Sequence, residues 1–506
     1  MYFGFQSFSE SWSICISLIM SKPSALKTTL YLPLWLLVPP LILAWLPFYL
    51  YRCLVKLIAM LLRPHLKTIL TPGDARFSYD RIYTCPASTV LAGLELEGEV
   101  DPHLIRETFR TQILSARDEH DALLYPELGW TIKEFMGFPF WAEATIIENP
   151  VSVVKDMTKD KILDYQTQFT FKPFASNGPL WELVIVHVKI NSSLETPSST
   201  ILFRFHHALV DGVGIFHLFQ KMVTQQSVES TRKISIKTST MSPIRYLGMP
   251  YDFMQTCRAG SRTGGFIQDT NIRTTLDDKC SPCEAAAYIR FHISEPILFS
   301  RIRHLGMRHG VSGTAVMHSA ILGAVRSSFF AEKAPISAKV TVETTLLPPW
   351  KRDRLLGNNL THGRYTGNIG EVDARKRLIC TNEAFTSMKE STSPVTSALI
   401  SNALSSLPRP IVKQIQKLHE GRERILIVNI VGPEENPKFC GYLSKNVSLM
   451  YGFCATYSGL IFGLITFGGT LRIGVFGNRN LLLRSGQAEE ITRAFMRELD
   501  DLEIMN

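Results

Sequence analysis

Residues 203–219 read FRFHHALVDGVGIFHLF, and this stretch decides how the rest of the chain is interpreted. Within it, His206, His207, Asp211 and Gly212 form an HHxxxDG pattern. The residues before the histidines alternate between apolar and polar side chains, which predicts a β-strand. An apolar helical run follows the glycine. The pattern therefore places two imidazoles at the end of a strand, a position at which binding and catalytic sites are commonly built.

His207 is the candidate general base of this motif. An imidazole with its ordinary pKa of about 6.5 is mostly neutral near pH 7 and can accept a proton. Transfer of an acyl group from a thioester to an alcohol needs such a base while the hydroxyl attacks. His206 continues the strand and is interpreted as supporting. Asp211 is a candidate catalytic residue, although we favour a buried carboxylate paired with an arginine. Gly212 is expected where the backbone needs freedom or close approach.

Several other chemistries lack their sequence patterns. The chain contains no G-x-S-x-G elbow, P-loop, Rossmann glycine fingerprint or H-E-x-x-H pair. Cys280 and Cys283 form the only close cysteine pair, so no metal site is predicted. The scattered cysteines indicate reduced, cytosol-facing thiols. A net charge of +9 favours an anionic partner, either a phosphate-bearing co-substrate or a membrane surface, and no nucleic-acid module accompanies it.

An uncharged segment precedes the body of the chain. Residues 28–51 read TTLYLPLWLLVPPLILAWLPFYLY, long enough to cross a hydrocarbon layer of about 30 Å. Pro39 and Pro40 are expected to kink a spanning helix or to turn it back. Residues 52–63 predict an amphipathic helix on the membrane surface. Lys and Arg are more frequent after the segment, so we expect the catalytic body in the cytosol at a membrane such as the endoplasmic reticulum.

The length of 506 residues favours two domains. From Pro72 onward, strand and helix signals alternate, which predicts an α/β architecture. The predicted divisions are a membrane anchor with an amphipathic helix at 1–71, an N-terminal domain with the HHxxxDG motif at 72–224, a crossover linker at 225–284 and a C-terminal domain at 285–506.

Local patterns predict the individual elements of these domains. Asp101 is expected to cap a helix over 101–114 with Pro102 at its first position. The last helix is predicted over 486–503. Strands are predicted at 87–98, 181–190, 199–206, 285–293, 338–346, 424–430, 446–453, 459–467 and 470–476, with helices near 295–308 and 313–329.

Three further stretches carry a family resemblance. Pro179–Leu183 reads PLWEL, Leu356–Asn358 reads LGN, and Val428–Pro433 reads VNIVGP. Together with HHxxxDG and the glycine-rich strands of 459–482, they resemble the wax ester synthase/diacylglycerol acyltransferase family of the coenzyme A-dependent acyltransferase superfamily. The resemblance extends over roughly residues 75 to 505.

The resemblance implies an α/β (α+β) fold of two chloramphenicol-acetyltransferase-like domains, with His207 in a tunnel between them. It implies acyl-CoA as co-substrate without a bound cofactor, and a lipid alcohol or diacylglycerol as acceptor. Candidate tunnel residues follow from the same motifs: Pro179, Leu180, Trp181, Asn429, Gly432 and Pro433.

The leading functional hypothesis is a membrane-bound enzyme that makes wax ester or triacylglycerol. A short-chain acyl or acetyl transferase is the second hypothesis, and a non-catalytic, membrane-tethered lipid-binding relative is the third. A hydrolase, in which the base activates water, is the weakest. One departure from the family is clear: Thr314 and Ala315 replace the usual Asn-Asp pair. This replacement is expected to affect efficiency or substrate preference.

Overall fold

A computed structural model describes most of the chain. The described residues are 32–145, 151–189, 197–224, 243–254, 280–330, 339–348, 350, 354–418, 424–455 and 459–504.

The first half of the chain, up to residue 224, forms five α-helices and seven strands among its described residues. In chain order these elements are α1 (Val38–Leu62), β1 (Leu66–Ile69), α2 (Pro72–Ala75), β2 (Thr89–Glu97), α3 (Pro102–Phe109), β3 (Trp130–Phe135), β4 (Phe138–Glu143), β5 (Val151–Met157), α4 (Lys159–Phe171), β6 (Trp181–Val188), β7 (Ser198–His206) and α5 (Gly212–Lys221).

The second half continues with more helices and strands. They are α6 (Pro282–Tyr288), β8 (Ile289–Ile293), β9 (Ile297–Leu298), α7 (Phe299–Arg308), α8 (Gly313–Phe330), β10 (Val340–Leu346), β11 (Thr361–Gly367), α9 (Ala374–Glu390), α10 (Ser393–Ser405), α11 (Arg409–Leu418), β12 (Arg424–Val431), β13 (Lys438–Phe439), β14 (Tyr442–Tyr451), β15 (Gly459–Phe467), β16 (Thr470–Asn478) and α12 (Gln487–Ile504).

Two large sheets organise these elements. The first has the order β13-β14-β2-β7-β6-β5, and the second has the order β11-β10-β12-β15-β16-β8 with β9 beside β16. A smaller sheet, β1-β4-β3, lies apart from them. Strand β14 comes from the second half of the chain, yet it pairs antiparallel with β2, with Leu449 opposite Ala92. The two halves of the sequence therefore share the first sheet.

Strand β7 lies inside the first sheet, between β2 and β6. Every one of its residues is buried, which explains its high content of β-branched and aromatic side chains. Arg204 is buried on the face that His206 shares, and its guanidinium lies 3.3 Å from Glu182 on β6. These two strands pair antiparallel, with Trp181 opposite Phe205. The loop between them lies outside the described residues.

The second sheet is covered by α8, α9 and α12, and its core forms a separate apolar cluster that includes Ile425, Phe462 and Phe495. The predicted strands at 338–346, 424–430, 459–467 and 470–476 are confirmed within a few residues, as is the helix at 486–503. Such agreement is expected where periodicity and burial coincide.

Two element predictions need correction. The strand expected over 285–293 is in fact α6 followed by β8, because Ser281 and Glu284 form a capping box that starts a helix. The helix expected over 101–114 is an α-helix only to Phe109 and continues as a π-helix over Arg110–Leu114. Its predicted start is confirmed, since Asp101 accepts a hydrogen bond from the backbone of His103.

The N-terminal segment also differs from expectation. Pro39 and Pro40 lie in the first turn of α1, where a missing N–H costs little, directly after a 3-10 helix over Leu32–Leu37. The amphipathic helix expected at 52–63 is the second half of this same helix. By length and composition, the helical stretch Pro33–Leu62 could cross a membrane. Most of the crossover linker predicted at 225–284 lies outside the described residues.

Candidate active site

The two histidines are held where β7 ends. The backbone N–H of His206 donates to Leu180 O at 2.9 Å, and that of His207 donates to Ser88 O at 2.7 Å. These bonds tie the strand end to the PLWEL segment on one side and to the loop before β2 on the other. The two side chains leave the backbone toward opposite faces of the sheet, as adjacent residues of a strand do.

The ring of His207 is half-buried and packed between an aromatic side chain and an amide. It stacks on Phe77, with 3.9 Å between ring centroids and 7° between ring planes. Its Nδ1 lies 2.9 Å from Oδ1 of Asn358, which belongs to the LGN segment. These two contacts fix both the plane of the imidazole and its rotation within that plane.

The hydrogen bonds of Asn358 determine which nitrogen of His207 carries a proton. Its Nδ2 donates to His207 O at 2.7 Å and to Asp74 Oδ1 at 3.2 Å. Its amide oxygen is therefore the atom that faces Nδ1, and because a carbonyl oxygen only accepts, Nδ1 carries the hydrogen. In the neutral ring, Nε2 is then the unprotonated nitrogen. This tautomer is the one that can act as a base through Nε2.

Asn358 itself is held by a buried carboxylate. Asp74, in α2, accepts a hydrogen bond from the backbone N–H of Asn358 at 2.8 Å and also pairs with Arg354. The backbones of the two segments come close together, since a Cβ atom at Gly73 would collide with the carbonyl oxygen of Asn358. Glycine is therefore required at this position.

The surroundings keep His207 neutral. Its surroundings lower the pKa of its imidazole from 6.5 to about 4; burial is the largest cause, and the charge of Arg76 acts in the same direction. The opposing influences are a hydrogen bond to its own backbone, the charge of Asp211 and the hydrogen bond to Asn358. A neutral ring at physiological pH is the form that accepts a proton.

His207 faces a cavity of about 1220 Å³ between the two large sheets. This volume exceeds the roughly 300–1,000 Å³ of ordinary small-molecule sites. The first sheet and α5 contribute apolar side chains to its wall, and the second sheet contributes both apolar and charged ones. Representative lining residues are Ala92, Leu94, Phe205, Ile215, Leu426, Val428 and Leu449.

His206 occupies a closed site on the other face of β7. It is completely buried, and its Nε2 lies 3.1 Å from Oδ1 of Asp80. Its Nδ1 accepts a hydrogen bond from the backbone of Ala208 at 3.3 Å, so Nε2 donates to the carboxylate. Asp80 also accepts from the backbone N–H of Ser88 at 2.6 Å. His206 is thus placed to hold together the loop that supports its neighbour.

Asp211 caps α5. One carboxylate oxygen accepts from the backbone N–H groups of Val213 and Gly214, at 3.1 and 3.0 Å, and the other accepts from that of Asn359 at 2.9 Å. These backbone bonds anchor the carboxylate, and its charge opposes the burial that lowers the pKa of Arg76. The carboxylate is completely buried and joins the HHxxxDG loop to the LGN segment.

Gly212 lines the cavity. The expectation that its backbone needs freedom or close approach is not met. Its φ lies outside the left-handed region, and an added Cβ would make an ordinary contact of 3.6 Å with Ile430. Neither backbone freedom nor close approach therefore demands glycine here.

The predicted tunnel residues divide into two groups. The placement of Leu180 and Trp181 in the tunnel is wrong: both are buried in the core of the first sheet, where Trp181 Nε1 donates to Leu128 O at 2.8 Å. Pro179 is also absent from the cavity wall. A motif does not indicate which way its side chains point; here Trp181 lies beside β7 in the same sheet, and its ring stacks on Phe203.

Asn429, Gly432 and Pro433 do line the cavity. Oδ1 of Asn429 is buried and has no hydrogen-bond partner among the described residues. A buried acceptor without a partner is costly unless a ligand supplies the donor. A Cβ atom at Gly432 would lie 2.5 Å from Thr466 O, so the backbone of this segment packs tightly on β15.

A charged group lies at the second-sheet side of the cavity. Glu343 accepts from Arg364 at 2.6 Å and from Arg424 at 3.0 Å. Burial favours the protonated carboxyl, but the two guanidinium groups and His362 outweigh it and lower its pKa to about 2. Burial lowers the pKa of His362 to about 4, and His207 contributes in the same direction. His362, Arg364, Arg76 and Lys389 all border the cavity.

Thr314 and Ala315 lie outside the cavity wall. They begin α8, and Ala315 is buried in the core of the second sheet. The departure from the family pattern is therefore a change in helix packing. Within the described parts of the chain, no group of His, Cys, Asp or Glu side chains could hold a metal ion.

The sequence patterns missed several residues of the site. Phe77, Asp74, Gly73 and Asp80 lie in the segment before β2, where no recognised motif marks them. Asn358 had a signal in the LGN segment, but nothing in the sequence linked that amide to His207, 151 residues away.

Comparison with known proteins agrees with this geometry. A family model for the wax ester synthase/diacylglycerol acyltransferase catalytic domain matches residues 164–257, and one for the WS/DGAT C-terminal domain matches residues 357–503. The first range includes the HHxxxDG motif and the second begins one residue before Asn358.

Solved structures share the fold. A wax ester synthase/diacylglycerol acyltransferase from Marinobacter aquaeolei is 16% identical, with 86% of this chain and 99% of that chain covered and a TM-score of 0.54. A trichothecene 15-O-acetyltransferase from Fusarium sporotrichioides is 11% identical over 86% of this chain and 95% of that chain, with a TM-score of 0.60.

By sequence, a plipastatin synthase from Bacillus subtilis is 25% identical over 186 residues, 32% of this chain, and the match spans only 6% of that large synthase.

The matched catalytic domain and the shared mixed α/β fold indicate an acyltransferase. Both domains of the wax ester synthase/diacylglycerol acyltransferase family are matched in this chain.

Proposed function

We propose that this acyltransferase moves a fatty acyl group from acyl-CoA to a long-chain alcohol or a diacylglycerol, which gives wax ester or triacylglycerol. The observation that carries the proposal is the orientation of His207. Its unprotonated Nε2 belongs to a ring held against the wall of a large, mostly apolar cavity. A base in this position can reach a hydroxyl group at the end of a chain lying in that cavity.

The reaction needs only one base. As the hydroxyl oxygen attacks the thioester carbonyl, Nε2 of His207 takes its proton and the new C–O bond forms. The tetrahedral intermediate then collapses, the C–S bond breaks, and the imidazolium returns the proton to the sulfur to give free coenzyme A. The Nδ1–H bond to Asn358 keeps the ring in place while it carries the positive charge.

The cavity wall supports long-chain substrates. Side chains such as Leu94, Phe205, Ile215 and Leu449 offer apolar surface, and the volume of about 1220 Å³ has room for an extended chain beside the reacting groups. A site built only for an acetyl group would not need this space.

Cationic side chains support an anionic donor. Arg76, Arg364 and Lys389 border the same cavity, and the chain carries a net charge of +9. Phosphate groups of coenzyme A are attracted by such a potential. The donor would act as a co-substrate, with no resident cofactor.

The proposed acceptors are lipids that are insoluble in water, so the enzyme would need to work at a membrane. The apolar helix α1 provides the surface for attachment. Six cysteines are free: Cys53, Cys85, Cys280, Cys283, Cys380 and Cys440. Free thiols favour a reducing compartment and hence a catalytic body in the cytosol, at a membrane such as the endoplasmic reticulum.

The proposal is tested with radiolabelled palmitoyl-CoA, with hexadecanol and diacylglycerol supplied as competing acceptors. Wild-type protein should form labelled wax ester or triacylglycerol, and His207→Ala should form almost none. His206→Ala, if folded, serves as the matched control and should retain a measurable fraction of the rate. Absence of acyl transfer by folded wild-type protein to either acceptor, or to a short-chain alcohol from acetyl-CoA, would leave a lipid-binding role instead.

A further inference from the structure

Helix α1 rests on the catalytic body along one of its faces. Trp45 Nε1 donates to Ala403 O at 3.2 Å, and Arg52 Nη2 donates to Leu70 O at 2.5 Å. Further along the helix, Val55 and Ala59 are buried. These four residues recur at helical spacing, so a single face of α1 is docked.

The docked face is packed as well as hydrogen-bonded. Val55 and Ala59 belong to an apolar cluster with Leu66, Phe138 and Phe140 from the small sheet. The guanidinium of Arg52 lies 5.5 Å from the ring centroid of Phe138. This combination fixes the direction of the helix relative to the body.

The opposite face of α1 carries a stripe of leucines, and other exposed side chains of the helix, such as Ile42 and Met60, are apolar too. Its members follow one another at intervals of three or four residues and are between 39% and 69% exposed. This leucine stripe consists of Leu43, Leu46, Leu50, Leu54, Leu57 and Leu61. Isolated exposed leucines are common on soluble proteins, but a continuous row of six marks a surface that another apolar phase covers.

The charges around the stripe favour one kind of partner. Residues 32–73 contain no acidic residue, and Lys56 and Arg63 are exposed basic side chains. Arg52 lies on the docked face, and Lys67 pairs with Glu143. Basic side chains beside an apolar helical face are the pattern of a helix bound to a membrane with anionic headgroups.

We infer that α1 lies in the plane of such a membrane, with the leucine stripe among the upper acyl chains and the catalytic body on the aqueous side. The contacts from Trp45 to Ala59 extend over about 21 Å of helix axis at 1.5 Å per residue. If α1 stood across a hydrocarbon layer of about 30 Å, it would carry the body surfaces it touches into lipid. An in-plane helix avoids that cost.

This arrangement also places the membrane close to the cavity, and it deepens the proposed function on which it rests. Pro394, Val395 and Ser401 of α10 line the cavity, while Ala403 at the end of the same helix accepts the Trp45 hydrogen bond. Helix α10 therefore contacts both the membrane-bound helix and the cavity. A lipid acceptor can reach His207 by passing beside α10 without crossing water.

Vesicle binding tests the stripe. The full chain is mixed with phosphatidylcholine vesicles, with and without phosphatidylserine, and the bound fraction is measured by flotation. We expect Leu50→Asp/Leu54→Asp to lower binding by roughly tenfold or more. The matched control, Met307→Asp/Ile504→Asp, changes two helical side chains outside α1 that are more exposed, at 75% and 79% against 58% and 51%, and should bind as wild type.

Depth measurements separate an in-plane helix from a spanning one. A fluorescent amino acid is placed at Leu43, Leu50 or Leu61 in turn, and quenching by lipids with shallow or deep nitroxide groups is compared. An in-plane helix predicts the same shallow depth at all three positions. Deep quenching at Leu50 with shallow quenching at the other two would overturn the inference in favour of a span.

Other outcomes are equally decisive. Unchanged vesicle binding by the stripe variant would overturn the membrane assignment. A lipid-free dimer of wild-type protein that the stripe variant converts to monomer would also overturn it, because another copy of the chain would then cover the stripe. Acyl transfer in detergent micelles is measured in parallel. Activity there with no vesicle binding contradicts this inference alone, whereas vesicle binding without any transfer contradicts the proposed function alone.

Discussion

The two histidines at the end of β7 are adjacent in the chain, but their surroundings differ greatly. His206 is sealed on one face of the sheet, and its Nε2 donates to Asp80. His207 lies on the other face. There, Asn358 accepts a hydrogen bond from Nδ1–H, so Nε2 is the unprotonated nitrogen beside the cavity. Strand alternation therefore divides one dipeptide into a structural donor and a candidate base.

The comparison shows that His207 is supported in two different ways, one acting on its backbone and one acting on its ring. His206 holds the loop around Ser88, and the carbonyl of Ser88 accepts the backbone N–H of His207. Asn358 instead acts directly on the ring. His206 therefore fixes the backbone position of His207, and the amide of Asn358 fixes the orientation of the His207 ring.

Replacement of His207 should have the largest effect. We expect His207→Ala to lower kcat for acyl transfer by about 10²- to 10⁴-fold, the usual contribution of a general base. Thermal unfolding should change little in comparison, because the ring is half-buried beside a cavity. If folded His207→Ala protein retained most of its rate, the proposed difference in function between the two faces of β7 would be contradicted.

Replacement of Asn358 should come next. Asn358→Leu removes the acceptor for Nδ1–H, a hydrogen bond to a group that becomes charged in the transition state, so we expect a loss of about 10- to 100-fold in kcat. The effect should fall on kcat more than on KM if the amide positions the ring instead of binding substrate. A change confined to KM would argue that Asn358 contacts the acceptor.

His206 should matter for stability more than for rate. His206→Ala leaves the buried side of Asp80 without its donor, which should lower the free energy of unfolding by about 1–3 kcal/mol. His206→Gln supplies a new amide donor and should recover part of this loss. Chemical denaturation measures both variants, and the comparison fails if His206→Gln, though folded, is as inactive as His207→Ala.

A position outside both faces provides the baseline. Thr314→Asn restores one family residue at the start of α8, away from the cavity wall, and should keep kcat/KM within about twofold of wild type. A large gain in rate would show that this helix acts on the site through packing that the static arrangement does not reveal.

The sequence was most informative where a local pattern and burial agree. HHxxxDG predicted the strand end and the helix after it, and Asp101 predicted a helix start, because such signals depend on near neighbours. The motif could not show that Trp181 packs into the core or that Asn358 turns His207, since both facts depend on how distant segments meet. The PLWEL and LGN motifs look alike as signals, yet one supports the backbone and the other orients the reacting ring.

The pH dependence of kcat/KM tests the central claim most directly. Burial lowers the pKa of His207 to about 4 in the folded protein, below the ordinary 6.5. The base form should therefore persist as pH falls from 7, and the rate should drop only near pH 4. The same shift favours the folded state above pH 6.5 and weakens it as pH falls from there toward 4. Samples returned to neutral pH must therefore recover full activity.

Asn358→Asp sharpens this measurement, because a carboxylate beside Nδ1 should raise the pKa of His207 and move the acid limb to higher pH. We predict an acid limb near pH 4 for wild-type protein and a higher one for this variant. A wild-type limb at pH 6.5 or above, or the same limb in the residual activity of His207→Ala, would contradict the account of a buried, neutral imidazole acting as the base.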